Sequence, residues 1–389
     1  MAREHRWVAA IAFGGLVTGT ILLTAPTASA ANELTASNFR LEKTADSPLI
    51  DDLDAELPNV SVPTVVGDGN REARPCTPSA SNVSAGFCWN SGDDGTTAWY
   101  PQAVTTTADA YEAGTYDGVT AVLASWYDHD EDGIDKGVRV SFVDWSDPSS
   151  PTYRHVLLVE PYETSSGDPS FRAVNVHAGG MFWYGDLLYV ADTWNGFRVF
   201  DMRHIWRVSS GDKSLIGLQS DGSYHAHDYK YVLPQVFTYR SSTEGGYSEL
   251  RHSFVALDRT STPDSVIVGE YGNPGDGTRL VRFGIDYQNR LLRTDSDGYA
   301  RGTEAYQVDV TSMQGAASID GRFFLSTSDG TSNPGDLGLF EPGGSVELDY
   351  DVLAIGPEDL SYWADRDQLW TLSEHPNQRN VYAIRPSAW

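Results

Sequence analysis

Eleven short β-type runs, the lack of sustained amphipathic helix beyond about residue 100, and a degenerate unit of three strands that recurs along the chain predict an all-β fold closed on itself, a β-propeller. The runs are VTAVLASW, VRVSFVDW, RHVLLVE, DLLYVAD, FRVFDM, HSFVALD, SVIVGEY, RLVRFGI, RFFLSTS, QLWTLSE and NVYAI, separated by Gly, Asp, Ser and Pro turns. The 37 Gly and 19 Pro of the 389 residues suit many turns, and 20 Tyr and 11 Trp suit strands.

Residues 1–30 read as an export segment. Arg3 and Arg6 make a positive start, Trp7 to Leu23 is mostly apolar, and Ala28-Ser29-Ala30 is an A-x-A cleavage site. Gly14, Gly15 and Gly19 interrupt the apolar run, which favours cleavage over the alternative of an uncleaved anchor helix. No other apolar run approaches the roughly 18 residues a membrane span needs. The mature protein is expected to be secreted and extracellular, with no membrane partner, and to be a monomer.

Residues 31–100 read as an N-terminal strap. Its acidic patch, Asp51, Asp52, Asp54 and Glu56, suggests a linker or a surface-lying segment. Cys76 and Cys88, the only two cysteines, enclose the polar stretch TPSASNVSAGF. In an oxidising compartment they are expected to pair, with free thiols as the alternative. A loop of this length contributes roughly 2–3 kcal/mol by chain entropy. The bond would be a clip without a catalytic role.

Residues 101–389 carry the repeat. One copy runs His177-AGGMFWYG, Asp186-LLYVADT, Gly196-FRVFD; a second, Gln314-GAASIDG, Arg322-FFLSTSD, Asp336-LGLFEPG; a third, Glu358-DLSYWADR, Gln368-LWTLSEHP, Asn380-VYAIRP. Weaker copies begin at Gln102 and Gln235. Each is a polar residue followed by strands and tight turns, the pattern of blades that bury their faces only by packing in a ring. Five blades is the first count. Six follows if residues 60–100 form a blade of their own. The last copy shows three strands before Trp389, so its fourth is expected from the N-terminal region, for example Val60 to Val66. A β-sandwich with a small second domain is the competing architecture.

Net charge narrows the partners. Against 54 Asp and Glu stand 27 Lys and Arg, a formal charge of −27. Such a chain repels phosphate backbones and anionic lipid, which argues against nucleic acid. Two cysteines are too few for a four-thiolate zinc site.

The stretch YVADTWNGFRVFDM resembles the unit of extracellular LVIVD-type repeat propellers. More broadly the blades are similar to those of gluconolactonase-like and streptogramin-lyase-like propellers, and the leader and acidic composition resemble a secreted actinobacterial protein. The resemblance covers about residues 100–389 at the level of architecture. It implies a fold. No catalytic set transfers with it, and a fold does not fix a function.

The blade starts Gln102, His177, Gln235, Gln314 and Glu358 are all polar, where a purely apolar environment would favour apolar residues. They are expected to ring one axial pocket. The plainer alternative is that they satisfy turn and channel backbone groups through water. Amides, one imidazole and one carboxyl suit a sugar or another small molecule. His177 and Glu358 are the one titratable pair among them, able to serve as general acid or base, with the carboxylate orienting the ring or binding a cation.

Asp128, Asp130, Asp132 and Gly133 match the D-x-D-x-D-G start of a calcium loop, with Asp135 beside them; Arg139 stands where an EF-hand needs Glu. A structural calcium ion and a solvated acidic hairpin are both open. His225-Ala-His227 would place two rings on one strand face, a weak metal signal against a default of exposed histidines. Most tryptophans read as blade packing; Trp99 and Trp194 lie near turns and could face carbohydrate. Three functions remain: a secreted propeller with one axial pocket for a small molecule or glycan, a metal-assisted hydrolase or lyase using His177 and Glu358, and a protein-interaction scaffold.

Overall fold

The computed structural model describes residues 31–129, 133–273 and 278–389. The expected export segment lies outside the described residues. No helix among the described residues is long and apolar enough to cross a membrane.

From Trp99 the chain runs as successive antiparallel meanders. The first pairs Trp99–Thr106, Ala121–Asp128, Val138–Asp144 and Thr152–Glu163 in order. The second pairs Met181–Tyr184, Leu187–Asp192, Gly196–Asp201 and Tyr231–Thr243. The third pairs Phe254–Asp258, Ser265–Gly269, Arg279–Asp286 and Tyr299–Gln307. The fourth pairs Met313–Ile319, Arg322–Thr327, Pro334–Phe340 and Glu347–Ile355. The fifth pairs Ser361–Trp363, Gln368–Leu372 and Asn380–Ile384, and takes Val83–Cys88 as its fourth strand. The first strands of these units touch in a closed cycle, each with the next and the last with the first. The units therefore stand around one axis, and the fold is a β-propeller.

The strands form where they do because each sheet is covered on both faces. Second strands such as Ala121–Trp126 and Leu188–Asp192 are buried along their length, which explains continuous apolar runs in place of strict alternation. Aromatic side chains fill the wedge between units. Trp145 of the first meets Trp370 of the fifth edge-on at 5.4 Å, and Tyr306 of the third meets Phe323 of the fourth at 5.7 Å. Each such ring removes on the order of 150–250 Å² from water.

The ring closes through a different segment from the one the sequence suggested. Val60 to Val66 does not pair with the last unit. Ser61 accepts the amide hydrogen of Thr64 (3.4 Å), and with Pro63 in the first turn this starts a short helix, Val62–Gly67. Val83–Cys88 is the closing strand, and Cys76–Cys88 is disulfide-bonded with a Cα–Cα distance of 5.7 Å. The bond ties the chain to the strand that completes the ring.

The leading segment is a belt on the outer strands. Asn32–Glu33 pairs with the third unit, and Phe39–Lys43 bridges the third and second. Asn59–Val60 pairs with Ile205–Arg207, and Arg71–Glu72 with the first unit. The acidic patch is a helix, Leu49–Glu56, with Ile50 and Leu53 buried. Asp54 is not simply solvated, because it accepts from His204 Nδ1 (2.7 Å) and Trp206 Nε1 (2.5 Å).

One repeat copy was misplaced by sequence. VFTYRSS, after Gln235, is the outer strand of the second unit, paired with Gly196–Asp201. Residues 202–230 are an excursion between that unit's third and fourth strands, so the fourth looks like a new start. The third unit begins at Phe254.

A candidate axial pocket

In an antiparallel meander the first strand leaves one end of the ring and the second returns to it. Residues just before first strands and just after second strands therefore meet at the same mouth. A cavity of about 490 Å³ lies there. Gln102 comes from the first unit; His177, Gly179, Thr193 and Trp194 from the second; Arg251, Ser253 and Tyr271 from the third; Gln314 from the fourth; Glu358 and Glu374 from the fifth.

Gln102 and Gln314 are aimed by β-bulges. Pro101 pairs with Trp126 and Val104 with Ala124, so Gln102 and Ala103 oppose one residue, Ser125, whose hydroxyl accepts from the Ala103 amide (3.0 Å). Pro101 has no N–H to donate, which suits a break in the ladder. Met313 pairs with Thr327 and Gly315 with Ser326, leaving Gln314 as the extra residue. Bulges of this kind re-aim side chains next to sites.

His177 is set by the glycines that follow it. A Cβ on Gly179 would lie 2.2 Å from the Ser253 carbonyl oxygen, and one on Gly180 2.2 Å from the Val255 nitrogen. Only glycine lets the chain pass so close to the third unit. The imidazole reaches the lumen beside Tyr127, with ring centroids 4.6 Å apart. Surrounding protein pushes its pKa below the usual histidine value, which keeps it neutral at pH 7.

The fifth unit supplies two carboxyls. Pro357 and Ser373 form an antiparallel bridge, and the flanking amides of Glu358 and Glu374 donate to Leu372 O (3.0 Å) and Gly356 O (3.1 Å). That register makes Glu358 and Glu374 diagonal neighbours on one face, with backbones roughly 7 Å apart. Both backbones are pinned: Ser326 and Thr371 hydroxyls donate to Glu358 O, and Arg379 Nε donates to Glu374 O. Gln102 Nε2 donates to Glu374 Oε2 at 3.1 Å. Glu358 is 3 % exposed, and burial, then the Glu374 and Asp359 charges, raise its pKa well above the usual carboxyl range. Tyr127 nearby is pushed up to about 12 by burial and the Glu374 charge.

Among the described residues no protein hydrogen bond reaches the side chains of His177, Gln314 or Glu358. The mouth carries two exposed rings, Trp194 (69 %) and Tyr271 (49 %). Tyr271 follows Glu270, a buried carboxylate that receives Arg279 Nε (2.7 Å) and Nη2 (2.6 Å) and the Arg251 amide (2.9 Å). Below the cavity lie Asp359 and Asp109. Asp359 accepts the Met181 amide at 3.1 Å, and burial raises its pKa well above normal. Asp109 accepts from Thr105 and Ser361 hydroxyls, and burial pushes it up to about 6.

Four of the five blade starts named from sequence thus line one cavity. Gln235 does not: it sits on an outer strand, accepts from Arg198 Nη1 (2.9 Å), and lines a separate cleft. Arg251 and Ser253 stand where it was expected. Sequence reasoning also missed Glu374 and Tyr271, which lie just beyond second strands, a signal readable once strand direction is considered.

Of the expected calcium ligands, Asp130 and Asp132 lie outside the described residues. Asp128 accepts the Lys136 amide (2.8 Å), and Asp135 the Gly137 amide (2.9 Å). No three His, Cys, Asp or Glu among the described residues are arranged to hold a metal ion. His225 and His227 do not share a strand face, because the strand ends at Ala226 and His227 turns at φ +48°. Trp99 is buried under the Arg139 guanidinium.

No protein-family model matches the chain, and no curated protein matches it. The LVIVD and gluconolactonase resemblance narrows accordingly to propeller architecture. Solved structures do match. The GH43_1 enzyme of Xanthomonas citri in complex with xylose is 10 % identical with a TM-score of 0.32, over 87 % of this chain and 92 % of that one. The β-propeller domain of Cps50 (Swd1) from Myceliophteria thermophila is 9 % identical with a TM-score of 0.30, over 73 % and 82 %. Hydrazine synthase of Kuenenia stuttgartiensis is 13 % identical with a TM-score of 0.30, over 70 % and 73 %. At these identities and scores none informs the chemistry of this chain.

Proposed function

We propose that the axial pocket binds a polyhydroxylated small molecule, a glycan or its fragment. One observation carries this reading: polar side chains with no side-chain hydrogen bond among the described residues, His177, Gln314 and Glu358, converge from separate units at a mouth that carries two exposed aromatic rings. Glu358 is the buried one, and a buried polar group left unmet costs about 1–3 kcal/mol. Exposed His177 and half-buried Gln314 add further hydrogen-bonding positions for a ligand rich in hydroxyls. Trp194 and Tyr271 offer flat apolar faces of the kind a sugar ring covers with its C–H groups. Protonated Glu358 donates, neutral His177 donates and accepts, and Gln314 does both. The volume suits a ligand of a few sugar rings or fewer. A glycan array probed with the mature protein, followed by calorimetry, tests the reading. Binding that falls at least about tenfold in Gln314→Ala or Glu358→Ala is expected. Binding untouched by both would overturn it.

A second reading, hydrolysis of a glycosidic bond, is favoured by the register of Glu358 and Glu374. Glu358 keeps a proton to give to the leaving oxygen. Glu374, held by Gln102, is placed to take a proton from water as that water attacks the sugar carbon. This replaces His177 as the partner of Glu358 and uses no metal. Release of reducing ends by the wild type, abolished in both Glu358→Gln and Glu374→Gln, would support it. Binding without turnover across the bound glycans would reject it.

A further inference from the structure

The axial cavity is not the only opening at which Trp194 stands. A second, polar cleft of about 560 Å³ is lined by Glu160, Asp192, Asn195, Arg198 and Gln235 on its polar side, and Trp194 lines both. The turn carrying Trp194 is a ridge between them. It is anchored on each flank: the His252 amide donates to Thr193 O (2.8 Å), and the Ser241 amide donates to Asn195 O (2.7 Å). Gly196, at φ +117°, completes the turn where a Cβ would lie 2.3 Å from Tyr239 O. The backbone under the indole is therefore held on both sides while the ring itself is 69 % exposed.

The cleft has built polar chemistry. Arg198 is fixed by Asp192 (3.0 Å) and by the Gln235 amide oxygen (2.9 Å). That geometry turns the Gln235 amide NH₂ away from its partner, and among the described residues no protein acceptor meets it. Glu160 accepts from Arg172 through Nη2 (3.0 Å) and Nε (3.3 Å) and from Arg198 Nη1 (3.5 Å), which joins it to the same polar network.

We infer that the ligand is a saccharide chain, seated with one end in the axial pocket, crossing Trp194, and continuing into the Arg198–Gln235 cleft. This deepens the axial-pocket reading and rests on it. A single anchored aromatic ridge between two polar hollows suits a linear polymer, whose rings present an apolar face to the ridge and hydroxyls to either side. A free monosaccharide would use one hollow only.

The test is calorimetric titration of the full-length mature protein with xylo-, cello-, malto- and manno-oligosaccharides of one to six residues. In the series that binds, affinity should rise roughly tenfold or more between the shortest and longest members. Trp194→Ala should weaken every length. Gln235→Ala and Asn195→Ala should each remove several-fold of the gain with length. A series that binds with affinity independent of length, or a length gain untouched by both cleft variants, overturns the chain and leaves the axial pocket standing. If no member of any series binds, the axial reading and the chain fall together.

Discussion

Two clusters in this molecule hold the same kinds of side chain and resolve them in opposite ways. Asp93 lies under the first unit among Arg71 (3.1 Å), Arg139 (2.9 Å), His155 (3.2 Å) and the Tyr153 hydroxyl (2.7 Å). Glu358 lies at the axis near Glu374, with His177 and Tyr127 on the same cavity or beside it. Burial opposes ionisation in both. At Asp93 the neighbouring His155, the Arg139 charge and the Tyr153 hydroxyl outweigh it, and the carboxylate sits well below the usual range. At Glu358 no hydrogen-bond donor among the described residues reaches the side chain, and burial with the Glu374 and Asp359 charges raises the pKa. His155, buried beside Arg139, is pushed down to about 3; it accepts from Ser141 at Nδ1 (2.9 Å) and donates to Asp93 from Nε2. A titratable cluster whose carboxylate is met by cations and donors inside the protein is a structural knot. One whose groups are left to a cavity is a candidate site.

The contrast can be broken by substitution. Asp93→Ala should cost the most, about 3–5 kcal/mol, because it strands Arg139 in the interior. Urea unfolding would read the loss, and a cost below about 1 kcal/mol would place Asp93 outside the fold's support. Replacing Cys76 and Cys88 by Ser should cost roughly 2–3 kcal/mol, since the bond restrains the segment that becomes the closing strand. An unchanged melting temperature would show that closure does not depend on it.

Protonation sharpens the difference further. Glu358, Asp359 and Asp109 keep protons that the unfolded chain has lost, so the folded state binds more protons and stability falls as pH rises. The contribution is complete below the unfolded carboxyl pKa, near 4, and for Asp109 is lost as pH passes about 6. Asp93 has the opposite sign: its contribution is present above about 4 and is lost as pH falls toward its lowered folded pKa. Glu358→Gln should match the wild type at pH 4 and exceed it at pH 8, by about 1.4 kcal/mol for each pH unit of upward shift removed. Equal stability at both pH values would mean that Glu358 is ionised in the folded protein. The smallest stability change belongs to Trp194→Ala, within about 0.5 kcal/mol, because its ring is mostly in solvent. A larger loss would make the ridge part of the core.

Much of the ring was legible because blade packing demands apolar runs and turns at regular spacing. His177, Gln314, Glu358 and Gln102 could be aligned since each precedes or enters a first strand. Gln235 misled because the excursion over residues 202–230 imitates the gap between blades, and no local residue distinguishes an outer strand from an inner one. The closing strand was hidden for a similar reason. Val60–Val66 reads as a better strand than Val83–Cys88 until Ser61 and Pro63 are recognised as a helix start. Glu374 and Tyr271 became visible only with strand direction, which composition does not carry.

The central claim is that the unmet side chains at the axis are there for a hydroxyl-rich ligand. Calorimetry of the bound glycan against wild type, Gln314→Ala and Asp93→Ala tests it most directly. The account predicts at least about a tenfold loss of affinity in Gln314→Ala at an unchanged melting temperature, and a lowered melting temperature with affinity retained in Asp93→Ala. Equal affinity in the wild type and Gln314→Ala would contradict it.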